Sequence, residues 1–215
     1  MQAFSSFETK FIFEGPIGDI EMITTEPVAE KDINKSVIIC HPHPLHGGAM
    51  GNKVVSTLAK AFHEYGLKTV RFNFRGVGKS TGEHDNGYGE TDDLIAIYKW
   101  MKAKYPNDKF WLSGFSFGGF VAARAASKLP IERLITIAPQ ASRFVKDALP
   151  ALDCPWLIVQ GEADEVTNPE ELYNWVKTRQ DQISLVKIPE AGHYFHKKLT
   201  DLRKVLDQEL ISKCE

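Results

Sequence analysis

Two periods of hydrophobicity take turns along the chain. Residues 10–26, KFIFEGPIGDIEMITTE, read as a β-hairpin that turns at Gly15-Pro16. Ser36–Cys40 is a short apolar run with β-branched residues, the mark of a buried strand. Lys53–Tyr65 carries apolar residues at helical spacing and stops at Gly66, a residue suited to ending a helix. Leu67–Phe74 reads as the next strand, and a Gly-rich polar loop runs from Gly76 to Gly89. Asp92–Lys104 is amphipathic through Leu94, Ile95, Ile97, Tyr98 and Met101, and it ends before Pro106. The remaining pattern predicts strand Lys109–Gly114, helix Gly118–Lys128, strand Arg133–Ala138 and strand Trp156–Gln160. Helix Pro169–Arg179, strand Ser184–Ile188 and helix Leu199–Lys213 complete it.

Strands that alternate with helices imply repeated βαβ units. The fold class expected is therefore α/β, a mostly parallel central sheet with helices on both faces and an N-terminal antiparallel hairpin. The inner strands are near-continuous apolar runs, as coverage on both faces requires. Sheets of this kind bind ligands beyond the carboxyl ends of their strands, so the residues just after each strand are where chemistry is sought.

Composition narrows the class. The 215 residues suit one domain, 1–215, with a core large enough to need no staple. Lys and Arg number 26 against 28 Asp and Glu, a formal charge of −2, which argues against a nucleic-acid binder. Cys40, Cys154 and Cys214 are too few and too scattered for a disulfide framework or a Cys-based zinc site. With no basic, apolar leader and no run near ~20 apolar residues, the expectation is a cytoplasmic protein that does not enter a membrane. Cys214 and the exposed hairpin are the candidate contact points for a homodimer.

The strand Lys109–Gly114 runs into Gly114-Phe115-Ser116-Phe117-Gly118-Gly119 and then a helix. This is GxSxG in its required setting of strand, sharp turn and helix. Such a turn strains its central residue and lifts the Ser116 hydroxyl above the sheet edge. Flanking glycines let strand and helix approach. The Phe117 N–H lies at the helix start, where free donors favour a developing oxyanion. A serine needs a base, and the base an orienting partner. Gln160-Gly161-Glu162-Ala163-Asp164-Glu165 follows one strand and supplies Asp164, with Glu162 and Glu165 as runners-up. Glu190-Ala191-Gly192-His193-Tyr194-Phe195 follows the last strand and supplies His193. Each interval in the order Ser116, Asp164, His193 fits a strand–helix–strand step, which brings all three to neighbouring strand ends.

These segments, with HPHPLHGG at 41–48 and FNFRGVGKSTG at 72–82, resemble the α/β-hydrolase superfamily over essentially the whole chain. The likeness is greatest to small, lidless serine hydrolases of the dienelactone hydrolase and prolyl-oligopeptidase-like esterase group. Dienelactone hydrolases carry cysteine where this chain has Ser116, so their narrow substrate class does not transfer. The resemblance implies Ser116 as nucleophile, Asp164 as acid and His193 as base, with no metal or organic cofactor. It also implies a second oxyanion N–H from the 41–48 loop. Pro42 and Pro44 have none to give, which leaves His43 or Leu45, with Leu45 preferred. Many relatives insert a lid between the strands ending near Ala138 and starting near Trp156. The short connection here leaves room for one short helix, so an open site is expected. Phe115, Phe117, Leu45, Phe144 and Tyr194 are candidates to line a small pocket for short acyl esters or thioesters.

The same residues admit other readings. A peptidase acting on short peptides, or an acyltransferase, would use the same triad. A binding protein on an inactive hydrolase fold would be expected to lack a triad residue. His41, His43 and His46 form an HxHxxH string of the kind that binds zinc, although interleaved prolines mark an irregular loop. Gly76–Thr81 ends like a phosphate loop, but its first glycine is too close to Gly78 and no helix follows Lys79.

Overall fold

The computed structural model describes residues 7–28 and 31–214. The side chain of Cys214, a candidate contact point between copies, lies outside the described residues. Strands β1 (Glu8–Glu14) and β2 (Asp19–Thr25) form the expected hairpin, closed by Gly15 N–H donating to the Gly18 carbonyl at 2.8 Å. The β-branched and aromatic runs then give β3 (Lys35–Cys40), β4 (Lys68–Phe72), β5 (Lys109–Phe115), β6 (Arg133–Ile137), β7 (Trp156–Gly161) and β8 (Ile183–Ile188). One eight-stranded sheet results, in the order β1-β2-β4-β3-β5-β6-β7-β8. β2 pairs antiparallel with β4, and from β4 to β8 every pairing is parallel.

The helices are α1 (Lys53–Glu64), α2 (Tyr88–Lys104), α3 (Phe117–Ala126), α4 (Ala141–Lys146), α5 (Pro169–Lys177) and α6 (Leu199–Cys214). Alternation along β3 shows why both faces need cover. Val37 and Ile39 join the apolar layer of α1 and α6 with Leu58, Phe62, Leu202 and Leu206. Ile38 and Cys40 point the other way, into the layer of α2 to α5 with Leu94, Phe120, Phe144 and Trp175. Burying such side chains is worth roughly 1.5–3 kcal/mol each, the main drive for this layering.

Several boundaries shift by one or two residues from the sequence expectation and the start of α2 by four, and two of these changes trace to specific hydrogen bonds. α2 starts at Tyr88, not Asp92, because the buried Glu90 carboxylate accepts the N–H groups of Asp85 (2.9 Å) and Gly87 (2.8 Å) at the helix entrance. β4 stops at Phe72, because the Phe74 N–H donates to the His41 ring instead of to a neighbouring strand. Between β6 and β7, α4 is the one helix. Among the described residues no helix is long and apolar enough to cross a membrane.

Candidate active site

Ser116 occupies the turn between β5 and α3 with φ 55° and ψ −119°. L-residues rarely adopt that region, and holding it costs on the order of 1–3 kcal/mol. The surroundings enforce it. Ser116 N–H donates to the Ile137 carbonyl at 2.8 Å, and Gly119 N–H donates to the Ser116 carbonyl at 2.9 Å. A Cβ on Gly114 would run into the Gly118 backbone, and one on Gly118 into the carbonyls of Cys40 and His41. Strand and helix therefore touch backbone to backbone, and only glycine fits at either position.

The two loops after β7 and β8 bring their side chains to this turn. His193 Nε2 is 3.0 Å from Ser116 Oγ, and His193 Nδ1 is 2.8 Å from Asp164 Oδ2. The simplest protonation has Nδ1–H donating to the carboxylate, which leaves Nε2 to accept from the serine hydroxyl. All three side chains are buried. Asp164 also accepts from Gln160 Nε2 (2.9 Å), from the N–H groups of Val166 (2.9 Å) and Thr167 (2.8 Å), and from Thr167 Oγ1 (2.8 Å). Burial alone would raise its pKa. The hydrogen bonds from His193 and Thr167, with the pull of the imidazole, win and bring it down to about 2.

The histidines after β3 have separate fates. His41 is fully buried, with Nδ1 2.6 Å from the Pro42 carbonyl and Nε2 accepting the Phe74 N–H at 3.0 Å. Both nitrogens are engaged, and burial pushes its pKa down to about 4. It ties the loops after β3 and β4 together and has no lone pair for a metal. His43 stacks on His46 (4.6 Å between ring centroids) and leans on Phe117 (4.8 Å) and His84 (4.9 Å). Burial, followed by the charges of His46, His84 and Arg143, holds it down to about 4. A cavity of about 320 Å³ opens over Ser116, walled by His43, His46, Asn52, Gln140, His193 and Tyr194 among others.

A family profile described as alpha/beta hydrolase fold matches residues 36–152, more than half of the chain. The chain belongs to the α/β-hydrolase family. It is similar to a solved serine hydrolase homologue from Coxiella burnetii, with 45% identity over 94% of this chain and 97% of that one, at a TM-score of 0.90. It is also similar to a lidless α/β serine hydrolase from Xanthomonas campestris, 40% identical over 99% of this chain and 97% of that one, at a TM-score of 0.89. An uncharacterised protein of Rickettsia prowazekii is 33% identical over 93% of this chain and 87% of its own length. Membership places the chain among the hydrolases.

Within this α/β-hydrolase, several expected site residues stand elsewhere. Leu45 sits in a short 3-10 turn, Pro44–His46, which turns its side chain outward to 70% exposure and away from the cavity wall. His43 does line the cavity. Phe115 and Phe117 are fully buried. The Phe115 ring packs 5.1 Å from the His193 ring and supports it from below the pocket. Phe144 belongs to the core, packed on Trp156 and Trp175, because α4 turns that face toward α5. Of the proposed pocket aromatics, Tyr194 lines the cavity.

Two further side chains support the Ser116–His193–Asp164 series, and the sequence pointed to one of them in another role. Gln160, the penultimate residue of β7, is buried and donates to Asp164. A polar residue in a strand otherwise apolar was the available signal. Glu165, the sequence's alternative to Asp164, accepts the His193 backbone N–H at 3.0 Å and braces that loop. In the Gly76–Thr81 loop, Lys79 N–H donates to Glu21 at 3.0 Å, and Arg75 forks onto Asp93 at 2.7 and 2.8 Å. Those groups hold the loop to β2 and α2, which leaves no cradle for phosphate.

Proposed function

We propose that this protein is a serine hydrolase that cleaves carboxylic esters, or thioesters, of short acyl chains. The observation that carries the reading is the hydrogen-bonded series Ser116–His193–Asp164 beneath an open cavity, with Ser116 held at a positive φ. In this reading His193 Nε2 takes the hydroxyl proton as Ser116 Oγ attacks the carbonyl carbon. Asp164 keeps the imidazole in the required tautomer and stabilises its cationic form. The tetrahedral oxyanion rests on the N–H of Phe117 and of His43. One such donor is worth roughly 3–4 kcal/mol of barrier. His193 then protonates the departing alcohol or thiol, and water, activated by the same imidazole, releases the acid. The short β6–β7 connection and the small, half-polar cavity support short acyl groups and a single domain without a lid. Two buried, unpaired thiols, Cys40 and Cys154, support a reducing cytoplasm.

The test is a fluorophosphonate probe followed by a chain-length series of p-nitrophenyl esters. The expected result is labelling of Ser116, its loss in Ser116→Ala, a fall in kcat of roughly 10⁶-fold in that variant, and best turnover with the shortest acyl chains. Labelling at another serine, or clear preference for a sixteen-carbon chain, would sink the proposal.

A further inference from the structure

Arg143 on α4 lines a hollow with Lys146 and Asp147 and meets the wall of the catalytic cavity at Gln140. Arg71, Arg75, Arg133, Arg179 and Arg203 each pair with a carboxylate. Among the described residues Arg143 forms no ion pair. Its Nε donates to Gln140 Oε1 at 3.0 Å, and its Nη1 to the Asn86 carbonyl at 2.9 Å. The guanidinium carbon lies 5.0 Å from the centre of the Phe117 ring, on the residue next to Ser116, and 5.4 Å from that of Phe120. Aromatic faces stabilise the cation without neutralising it. The hollow beside it contains Asp147, which is bonded to Tyr88 and forms no ion pair with Arg143.

Among the described residues, the wall of the catalytic cavity contains neither Lys nor Arg. No Asp or Glu stands among the described residues that line it, and Gln140, which holds Arg143, is part of its wall. His43 and His46 are in that wall too, with Asn52 and Tyr194 as further hydrogen-bonding groups. Burial, followed by the charges of His46, His84 and Arg143, keeps the His43 imidazole neutral against the pull of Glu90. A neutral acyl chain makes no use of such a wall, whereas a carboxylate does, since it can take charge-assisted hydrogen bonds from Arg143 and donors from Gln140 and the histidines.

We propose that the preferred ester carries a carboxylate, on its acid or its alcohol side, which is held by Arg143 and Gln140 while Ser116 attacks the ester carbonyl. The inference rests on the serine hydrolase reading and narrows its substrate class. It gives an otherwise unpaired charge a partner and accounts for a pocket lined by donors in a chain that is acidic overall.

Two size-matched pairs test it on the full chain: monomethyl glutarate against methyl 5-methylhexanoate, and O-acetylglycolate against isobutyl acetate. The expected result is a kcat/KM advantage of about tenfold or more for the charged member of at least one pair. That advantage should shrink to roughly twofold in Arg143→Gln and survive in part in Arg143→Lys. The ratio within a pair is independent of how much of a variant is folded. Equal or poorer use of both charged esters, with p-nitrophenyl esters still cleaved, overturns this inference alone. An advantage that persists unchanged in Arg143→Gln also overturns it and makes Arg143 a packing residue. Absence of any turnover, with Ser116 unlabelled, removes the serine hydrolase reading and this one together.

Discussion

Ser116 stands between two walls made by different means. The loops after β7 and β8 form a wall of directed hydrogen bonds. Asp164 takes four besides the one from His193, and Glu165 holds the His193 backbone. The loops after β3 and β4, with the starts of α3 and α4, form a wall of stacked rings, in which His43, His46, His84 and Phe117 touch face to face or at a tilt and Arg143 rides on Phe117. Directed bonds fix an atom to within tenths of an ångström, which proton transfer needs. Stacked rings slide with little cost, which suits a surface that must accept a substrate and let it go. The contrast separates where a substitution should change rate from where it should change preference.

Asp164→Asn is the harshest way to break that contrast. An amide N–H aimed at His193 Nδ1 forces the wrong tautomer, with the ring proton facing Ser116. The expected loss in kcat is roughly 10⁴-fold, measured on a p-nitrophenyl ester. His46→Ala, in the ring wall, should move the relative kcat/KM among esters far more than it moves kcat. A loss in His46→Ala as deep as in Asp164→Asn would erase the distinction between the walls.

The next largest effect is on stability. His41 anchors the base of the ring wall and is held neutral, with its pKa lowered from 6.5 to about 4 by burial. The unfolded chain takes up that proton as pH falls through 6.5, while the folded chain takes it up only near 4. Its contribution is therefore complete above pH 6.5, drains as pH falls from 6.5 to 4, and amounts to about 3 kcal/mol. Asp164, lowered from 3.8 to about 2, loses its contribution only below that window. Urea midpoints taken between pH 7 and 4 should fall more steeply for the native chain than for His41→Gln. Parallel slopes would remove His41 from the account.

The mildest effect concerns the brace. Glu165→Ala frees the His193 N–H and should cost about 10- to 100-fold in kcat with little change in KM. Glu165→Gln keeps an acceptor and should recover most of it. Equal losses in both would mean that charge, not position, is what Glu165 supplies.

Much of this was legible in the chain before any coordinates. Ser116, Asp164 and His193 each follow an apolar strand run, and strand ends are where such a sheet gathers functional groups, so order and spacing sufficed to bring them together. The near-correct strand bounds came from the same runs. What stayed hidden depended on local turns and on orientation. Leu45 and His43 are two residues apart, and the 3-10 turn that points one outward leaves no periodic trace. Phe115 and Phe144 are apolar residues near the site in sequence, but the sheet face of one and the helix face of the other send both rings into packed layers. The early start of α2 was readable in principle from Glu90, three residues after Gly87, a spacing that caps a helix.

The connection between β6 and β7, with its single short helix, also bears on how long an intermediate of the proposed reaction would last. With no lid among the described residues, solvent would reach the site as soon as the first product departs. An acylated Ser116 would then meet water at about 55 M, against which any dissolved alcohol is a minor competitor. Such a site would empty quickly, store little acyl group between turnovers, and discard the energy of the ester instead of passing it on.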